Sequence, residues 1–160
     1  MRTAVLAMLL GVLMGCTNAP ISVAIQDFDV DIAAVQSGQA VFVKQGFSKP
    51  PVGLSRVALE GQLNYPQTSA SFTFFATDTE PCSNQTNGLY LCDPNASHIE
   101  QAGTVNFQSG PSQPLQLSGE KLTRGINNGE LWLGVRLESG FATAGTLQFR
   151  NLVAKVALLP

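Results

Sequence analysis

Period-two alternation of apolar and polar residues is the feature of this sequence that most restricts its fold. The segments LSRVALEGQLNY (54–65), SASFTFFATD (69–78) and ELWLGVRLE (130–138) all follow this pattern. Because successive side chains of a strand point to opposite faces of a sheet, the pattern predicts half-buried strands. Further candidate strands lie at 21–32, 40–45, 89–92, 103–108, 115–117 and 145–159.

Glycine, proline, serine and asparagine separate these segments and predict turns between them. GEKLTRGINNG (119–129) could hold a single helical turn, since its glycines keep any helix short. Eight or nine strands joined by polar turns predict an all-β fold, an antiparallel β-sandwich of immunoglobulin-like or jelly-roll type. A closed β-barrel is the alternative architecture.

The last candidate strand changes phase within its own length. Leu147 and Phe149 share one parity, whereas Leu152 and Ala154 share the other. A shift of one residue turns every later side chain to the opposite face, so continuous burial requires one extra residue. We therefore expect a β-bulge near Arg150.

The N-terminus carries the parts of a secretory signal peptide. Arg2 precedes the apolar segment 4–14, and the small residue Gly15 stands before Cys16. The apolar segment is too short for a membrane span, which needs about 20 apolar residues.

Leu13-Met14-Gly15-Cys16 resembles the lipobox of bacterial lipoproteins. The resemblance implies that residues 1–15 are a signal peptide and that the Cys16 thiol receives a diacylglycerol. Residues 16–20 would then form the acylated cysteine and a short tether to a single β-sandwich domain at 21–160. Thr17 stands where such lipoproteins often carry an aspartate for inner-membrane retention, so the resemblance favours the outer membrane of a host that has one.

Composition restricts the partners. Only 12% of the residues are charged and the net charge is −2. Because no basic patch exists, we expect no nucleic-acid partner and no electrostatic attraction to an anionic lipid surface. The acyl group at Cys16 would therefore have to hold the protein at the lipid membrane. We expect no cofactor.

Two further cysteines, Cys82 and Cys92, have nine residues between them in EPCSNQTNGLYLCDPN. In an exported protein such a pair predicts a disulfide that closes a loop. A metal site is the alternative, but no histidine lies at a ligand spacing and zinc normally takes four ligands.

The one histidine, His98, lies in CDPNASHIEQ near Asp93 and Glu100. It could act as a general base for a serine elsewhere, as in a hydrolase. However, no G-x-S-x-G motif, phosphate-binding glycine loop or HExxH motif is present. We therefore predict that the protein is not an enzyme.

Three aspartates alternate in DFDVD, at Asp27, Asp29 and Asp31. On a strand their carboxylates would project from one face, and oxygen ligands are those that Ca²⁺ takes. Neighbours on one face of a strand lie about 6.5–7 Å apart, too far for all three to reach one ion. A solvated acidic face is the expected arrangement, and calcium is the weaker alternative.

Trp132 and Phe75 fall on the outer faces of their strands, and Arg136 lies on the same face as Trp132. Exposed aromatic side chains beside polar groups are typical of protein- or sugar-binding surfaces. These three residues are the predicted partner-binding candidates. The alternative is that a loop or the N-terminal tether covers the aromatic rings and makes them a secondary core.

The sequence thus predicts a lipid-anchored protein of the cell envelope that acts as a non-catalytic structural or protein-interaction module. A carbohydrate-binding module is the first alternative and a hydrolase using His98 is the second. The expected partners are the membrane and an envelope protein or glycan.

Overall fold

The computed structural model describes residues 21–31, 38–46, 48–66, 68–139 and 145–156. The predicted signal peptide, Cys16 and the tether lie outside these ranges. The described residues form the following eleven strands and one helix: β1 Ile21–Ala24, β2 Phe28–Asp31, β3 Ala40–Gly46, β4 Val57–Asn64, β5 Ser71–Thr77, β6 Gln85–Thr86, β7 Leu89–Cys92, β8 Glu100–Asn106, β9 Ser112–Ser118, α1 Glu120–Asn128, β10 Glu130–Ser139 and β11 Thr146–Val156. Among them, no helix is long and apolar enough to cross a membrane.

The strands form two antiparallel sheets. One has five strands in the order β1-β11-β4-β9, with β2 also paired to β11, and the other has six in the order β6-β7-β3-β10-β5-β8. The predicted all-β sandwich is confirmed, and two separate sheets replace the closed-barrel alternative. The strand count exceeds the prediction because the segment 21–32 divides at 25–27 into β1 and β2, and because the short strand β6 pairs with β7.

The main core lies between the two sheets and contains the inward-facing residues of the alternating segments. From β10 this core contains Leu131, Leu133 and Val135, and the partly buried Leu137 packs against it, so all four lie on the side that the alternation predicts. Edge-to-face aromatic contacts add to the apolar burial, and they favour specific ring orientations. They join three rings near one end of the sandwich: Tyr65, Phe72 and Phe107.

The predicted bulge in β11 is confirmed. Its pairing with β4 shifts between Arg150 and Val153, and Asn151 has a φ of 53°. The Leu152 side chain turns inward there and occupies the space beside Gly61, where a Cβ atom would lie 2.8 Å from Leu152 Cδ2. A glycine in β4 therefore makes room for the extra residue in β11.

Helix α1 is longer than predicted, with nine residues instead of a single turn. Gly125, which was expected to weaken it, lies against β10, where a Cβ atom would be 2.7 Å from Leu131 Cδ1. The Glu100 carboxylate of β8 accepts hydrogen bonds from the backbone N–H groups of Lys121 and Leu122. These bonds satisfy two of the four N–H groups that a helix start leaves without partners.

The loop 48–56 runs from β3 past α1 to the start of β4. The Leu54 backbone N–H donates to Asn127 Oδ1 and the Leu54 carbonyl accepts from Asn127 Nδ2, both at 2.8 Å. The Val57 backbone N–H donates to Thr123 Oγ1 at 3.0 Å. The helix therefore holds both the middle and the end of this loop.

Candidate binding surfaces

The three predicted partner-binding residues lie together on the outer face of the six-stranded sheet. Trp132 and Arg136 of β10 point away from the main core, and Gly134 lies between them. In the neighbouring strands, Phe75 of β5 and Phe42 of β3 both pair with Gly134. The alternation therefore predicted the correct side of the strand for each residue.

The expected exposure of the aromatic rings is wrong. Trp132 is only 7% exposed and Phe75 only 5%. Both belong to a second apolar cluster outside the main core, which comprises Ala40, Phe42, Phe75, Tyr90, Cys92, Ile99 and Trp132. The side chains of Cys82 and Ala96 pack against this cluster. Instead, loops cover the rings of Trp132 and Phe75, which is the alternative that the sequence left open.

The covering loops, residues 78–84 and 93–99, flank β6 and β7. The predicted disulfide Cys82–Cys92 is present, with 5.8 Å between the two Cα atoms, and it ties the first loop to the end of β7. His98 Nε2 lies 3.0 Å from the carbonyl oxygen of Pro81 and joins the two loops to each other. The disulfide and this contact hold the loops over the aromatic cluster.

His98 was also the candidate general base. Within the described ranges its hydrogen-bond partner is the Pro81 carbonyl, and no serine hydroxyl bonds to its ring. The structure therefore places the imidazole in a contact that holds a loop in position and does not bring it together with a nucleophile.

Two cations lie over the edge of the covered cluster. Lys44 Nζ lies 5.0 Å from the centroid of the Trp132 ring, and the Arg136 guanidinium lies 5.2 Å from that of Phe75. Each distance is within the range of a cation–π contact. Lys44 also pairs with Glu130 at 3.1 Å. Lys44 and Arg136, which we call the rim of the cluster, therefore have partners within the protein.

Arg136 makes the second ion pair of the rim. Its Nη2 donates to Glu138 Oε2 at 2.8 Å, and Thr73 Oγ1 donates to the same oxygen at 3.0 Å. The hydrogen bond from Arg136, followed by that from Thr73, lowers the pKa of Glu138 because both stabilise its ionised form. Sequence reasoning missed Thr73 and Glu138 as members of this group, although both share the outward parity of Arg136.

The aspartates of DFDVD are all exposed, as expected. Asp29 and Asp31 lie on β2, whereas Asp27 precedes it in the interruption between β1 and β2. Arg150 of β11 donates a hydrogen bond to Asp29. Among the described residues no group of three or more acidic, histidine or cysteine side chains could hold a metal ion. The structure thus brings one aspartate to an arginine and does not gather the three around a common point.

The outer face of the five-stranded sheet differs from that of the six-stranded sheet. It carries the ion pairs Arg150–Asp29 and Lys155–Glu60 together with several amides and hydroxyls. We call the following uncharged set the amide face: Gln62 and Asn64 of β4, Ser112 and Gln116 of β9, and Gln148 of β11. These residues alternate with buried residues of the main core. In contrast to the second cluster, no described loop covers them with an apolar layer.

A groove of about 400 Å³ lies on this face beside the bulge of β11. Glu60, Gln116, Asn151 and Lys155 contribute polar groups to its lining. Lys155 Nζ pairs with Glu60 across it, so the groove holds balanced charges. The bulge thus gives an otherwise pleated sheet surface a local depression.

No family model matches the sequence, and no curated protein matches it. Among solved structures, the chain is similar to latent apple tyrosinase at 12% sequence identity and a TM-score of 0.30. The match covers 87% of this chain and 27% of the tyrosinase chain, so the chain spans about a quarter of that protein's length. This similarity assigns neither a fold nor a function.

Proposed function

We propose that the protein is a lipid-anchored, non-catalytic module of the cell envelope that binds an envelope protein through its amide face. The observation that carries the proposal is the contrast between the two outer faces. Loops held by a disulfide cover the aromatic face of the six-stranded sheet. The amide face has no such cover among the described residues.

The membrane anchor rests on the lipobox-like sequence that ends at Cys16. Several acyl chains, each contributing about 0.8 kcal/mol per buried CH₂, would hold the protein far more firmly than a single myristoyl chain. Thr17 favours the outer membrane where the host has one.

The chemistry of the amide face suits a polar partner without strong charge, because Arg150 and Lys155 beside it are each paired with a carboxylate of the protein. Gln62 Nε2 donates to Ser112 Oγ at 2.6 Å, and Ser112 Oγ donates to Asn64 Oδ1 at 2.7 Å. Each amide keeps further donor and acceptor positions that a partner could use. Protein interfaces carry about one hydrogen bond per 100–200 Å², so a row of amides is a suitable docking face.

A protein partner fits this surface better than a glycan. Sugar-binding surfaces commonly use exposed aromatic rings, and among the described residues Val52 is the one large apolar side chain that is exposed. The rings that the sequence offered for stacking, Trp132 and Phe75, lie beneath the covering loops.

A photo-crosslinking pair tests the docking face. A crosslinking residue at Gln116, on the amide face, should capture one discrete protein in native membranes. The same residue at Gln101, an exposed glutamine on β8 of the other sheet, should capture little of it. Equal capture at both positions would contradict the assignment of the amide face. Separately, Cys16→Ser should move the protein out of the membrane fraction, and unchanged partitioning would contradict the anchor.

A further inference from the structure

The start of β1 and the start of β4 lie at the same end of the sandwich. Ile21 of β1 pairs with Val156 of β11, and Val156 in turn pairs with Val57. Neighbouring strands lie about 4.8 Å apart, so two strand spacings place the Ile21 backbone about 10 Å from that of Val57. The loop 48–56 leads directly into Val57 and therefore belongs to the same end of the molecule.

This loop exposes an apolar tip. Val52 is 58% exposed and follows the exposed Pro51. The tip has a fixed base, because Leu54 is buried and makes two hydrogen bonds to Asn127. The Val52 side chain therefore stands in solvent at the tip of a loop whose base is fixed. A single exposed apolar side chain is common on protein surfaces, so its position relative to the chain terminus is what gives it significance here.

Basic side chains flank the tip. Lys49 and Arg56 are both exposed, one on each side of Val52. Beside Arg56 lies a hollow of about 470 Å³ with mostly apolar lining. Glu120 lies on its other side, where Arg124 pairs with it at 3.4 Å. The loop therefore combines an apolar tip with two long basic side chains. Two charges are too few to attract the protein to an anionic surface, but such side chains reach headgroup phosphates once an acyl anchor holds the protein at the lipid.

The chain before Ile21 limits how far this end can stand from a membrane. Four residues separate Ile21 from Cys16, which gives five Cα–Cα steps. At 3.3–3.6 Å per residue, a fully extended chain would span about 17 Å. An acylated Cys16 thus keeps the end that carries Val52 close to the lipid headgroups.

We propose that the loop 48–56 docks on the same lipid surface that holds the acyl anchor, with Val52 entering the headgroup boundary and Lys49 and Arg56 facing lipid phosphates. This inference rests on the proposed lipid anchor and adds a fixed orientation to it. The sandwich would stand on this end, and its amide face would stand roughly perpendicular to the membrane and open to a partner at its side.

A tryptophan probe tests the orientation. Full-length Val52→Trp protein, processed and acylated in cells, is reconstituted into vesicles whose acyl chains carry bromine, which quenches tryptophan fluorescence on contact. The matched control is Ser109→Trp, at an exposed turn at the opposite end of the sandwich. The unsubstituted protein, measured in parallel, gives the signal of the buried Trp132 to be subtracted.

We expect at least threefold more quenching at position 52 than at position 109. Equal quenching in protein that floats with the vesicles would overturn the docking surface and leave the anchor intact. Protein that does not float with the vesicles would overturn the anchor and the docking surface together. A shift in the Val52→Trp emission that grows with protein density and not with bromination would show contact with a second protein copy, and would also overturn lipid docking.

Discussion

The ring of Phe42 lies over the backbone of Gly134, its partner in the neighbouring strand. A Cβ atom at Gly134 would come within 2.5 Å of Phe42 Cε1. Phe75 pairs with the same glycine from the other side. Because Gly134 of β10 has no side chain, the Phe42 ring has room within the covered aromatic cluster.

Gly134→Ala is expected to destabilise the protein because the added methyl group must displace the Phe42 ring within a packed cluster. Overpacking of this kind costs about 1–3 kcal/mol. The control is Gly46→Ala on β3, where a Cβ atom would meet no atom within 4 Å. Urea unfolding should show a lower midpoint for the first variant only. Equal midpoints would mean that the ring moves aside freely.

Trp132→Ala is expected to cost about 3–5 kcal/mol of stability, since a large buried ring leaves a cavity. Trp132→Phe should cost clearly less. Within the described part of the chain Trp132 Nε1 is buried without a hydrogen-bond partner, so phenylalanine loses no such bond. Thermal unfolding of both variants measures the difference. A near-native melting temperature for Trp132→Ala would show that the ring is exposed in solution.

Replacement of Cys82 and Cys92 together by alanine should lower the stability by about 2–3 kcal/mol, as expected for opening a loop of this length. The covering loops should also open more often. Acrylamide should then quench Trp132 fluorescence more strongly than in the disulfide-bonded protein. Unchanged quenching at a temperature where both proteins are folded would show that the contact between His98 and Pro81 suffices to hold the loops.

Arg136→Gln should raise the pKa of Glu138 towards its usual value, because Arg136 donates the hydrogen bond that lowers it most. The depressed pKa contributes stability above the unfolded pKa of about 4.3, and that contribution is lost as the pH falls through the folded value. An NMR titration of the Glu138 carboxyl group measures the shift. Lys44→Gln removes a cation from the same sheet face without touching Glu138 and should leave its pKa unchanged.

Glu100→Ala should destabilise the protein by about 1–2 kcal/mol, since two helix N–H groups lose their acceptor. Glu100→Gln keeps one acceptor oxygen and should recover part of the loss. Amide hydrogen exchange at Lys121 and Leu122 locates the effect. Exchange that rises equally across all strands would indicate general loosening in place of a lost helix cap.

The strand faces were the most predictable feature of the fold, because a side-chain period of two acts within each strand. The bulge near Arg150 followed from the same period of two. When the buried residues of one strand change parity, one extra residue is the simplest way to keep them on the same face. The disulfide followed from a pair of cysteines in a chain with an export-like start. Each of these predictions depends on short-range sequence information.

The missed features depend on contacts between distant segments. Gly125 was interpreted as a helix breaker, whereas the close approach of α1 to Leu131 requires a residue without a side chain. The exposure of Trp132 could not be predicted from its strand, because the loops that cover it come from residues 78–84 and 93–99. Alternation identifies the side of a sheet to which a residue points but not what packs there.

The pairing of the first strands with the last has a consequence for the order in which the molecule can assemble. β1 and β2 both hydrogen bond to β11, the final described strand. A ribosome makes the N-terminal residues first, so these two strands have no partner until nearly the whole chain has been synthesised. Closure of the five-stranded sheet is therefore a late and slow step of folding, and the N-terminal strands remain open to pairing with another chain until it occurs.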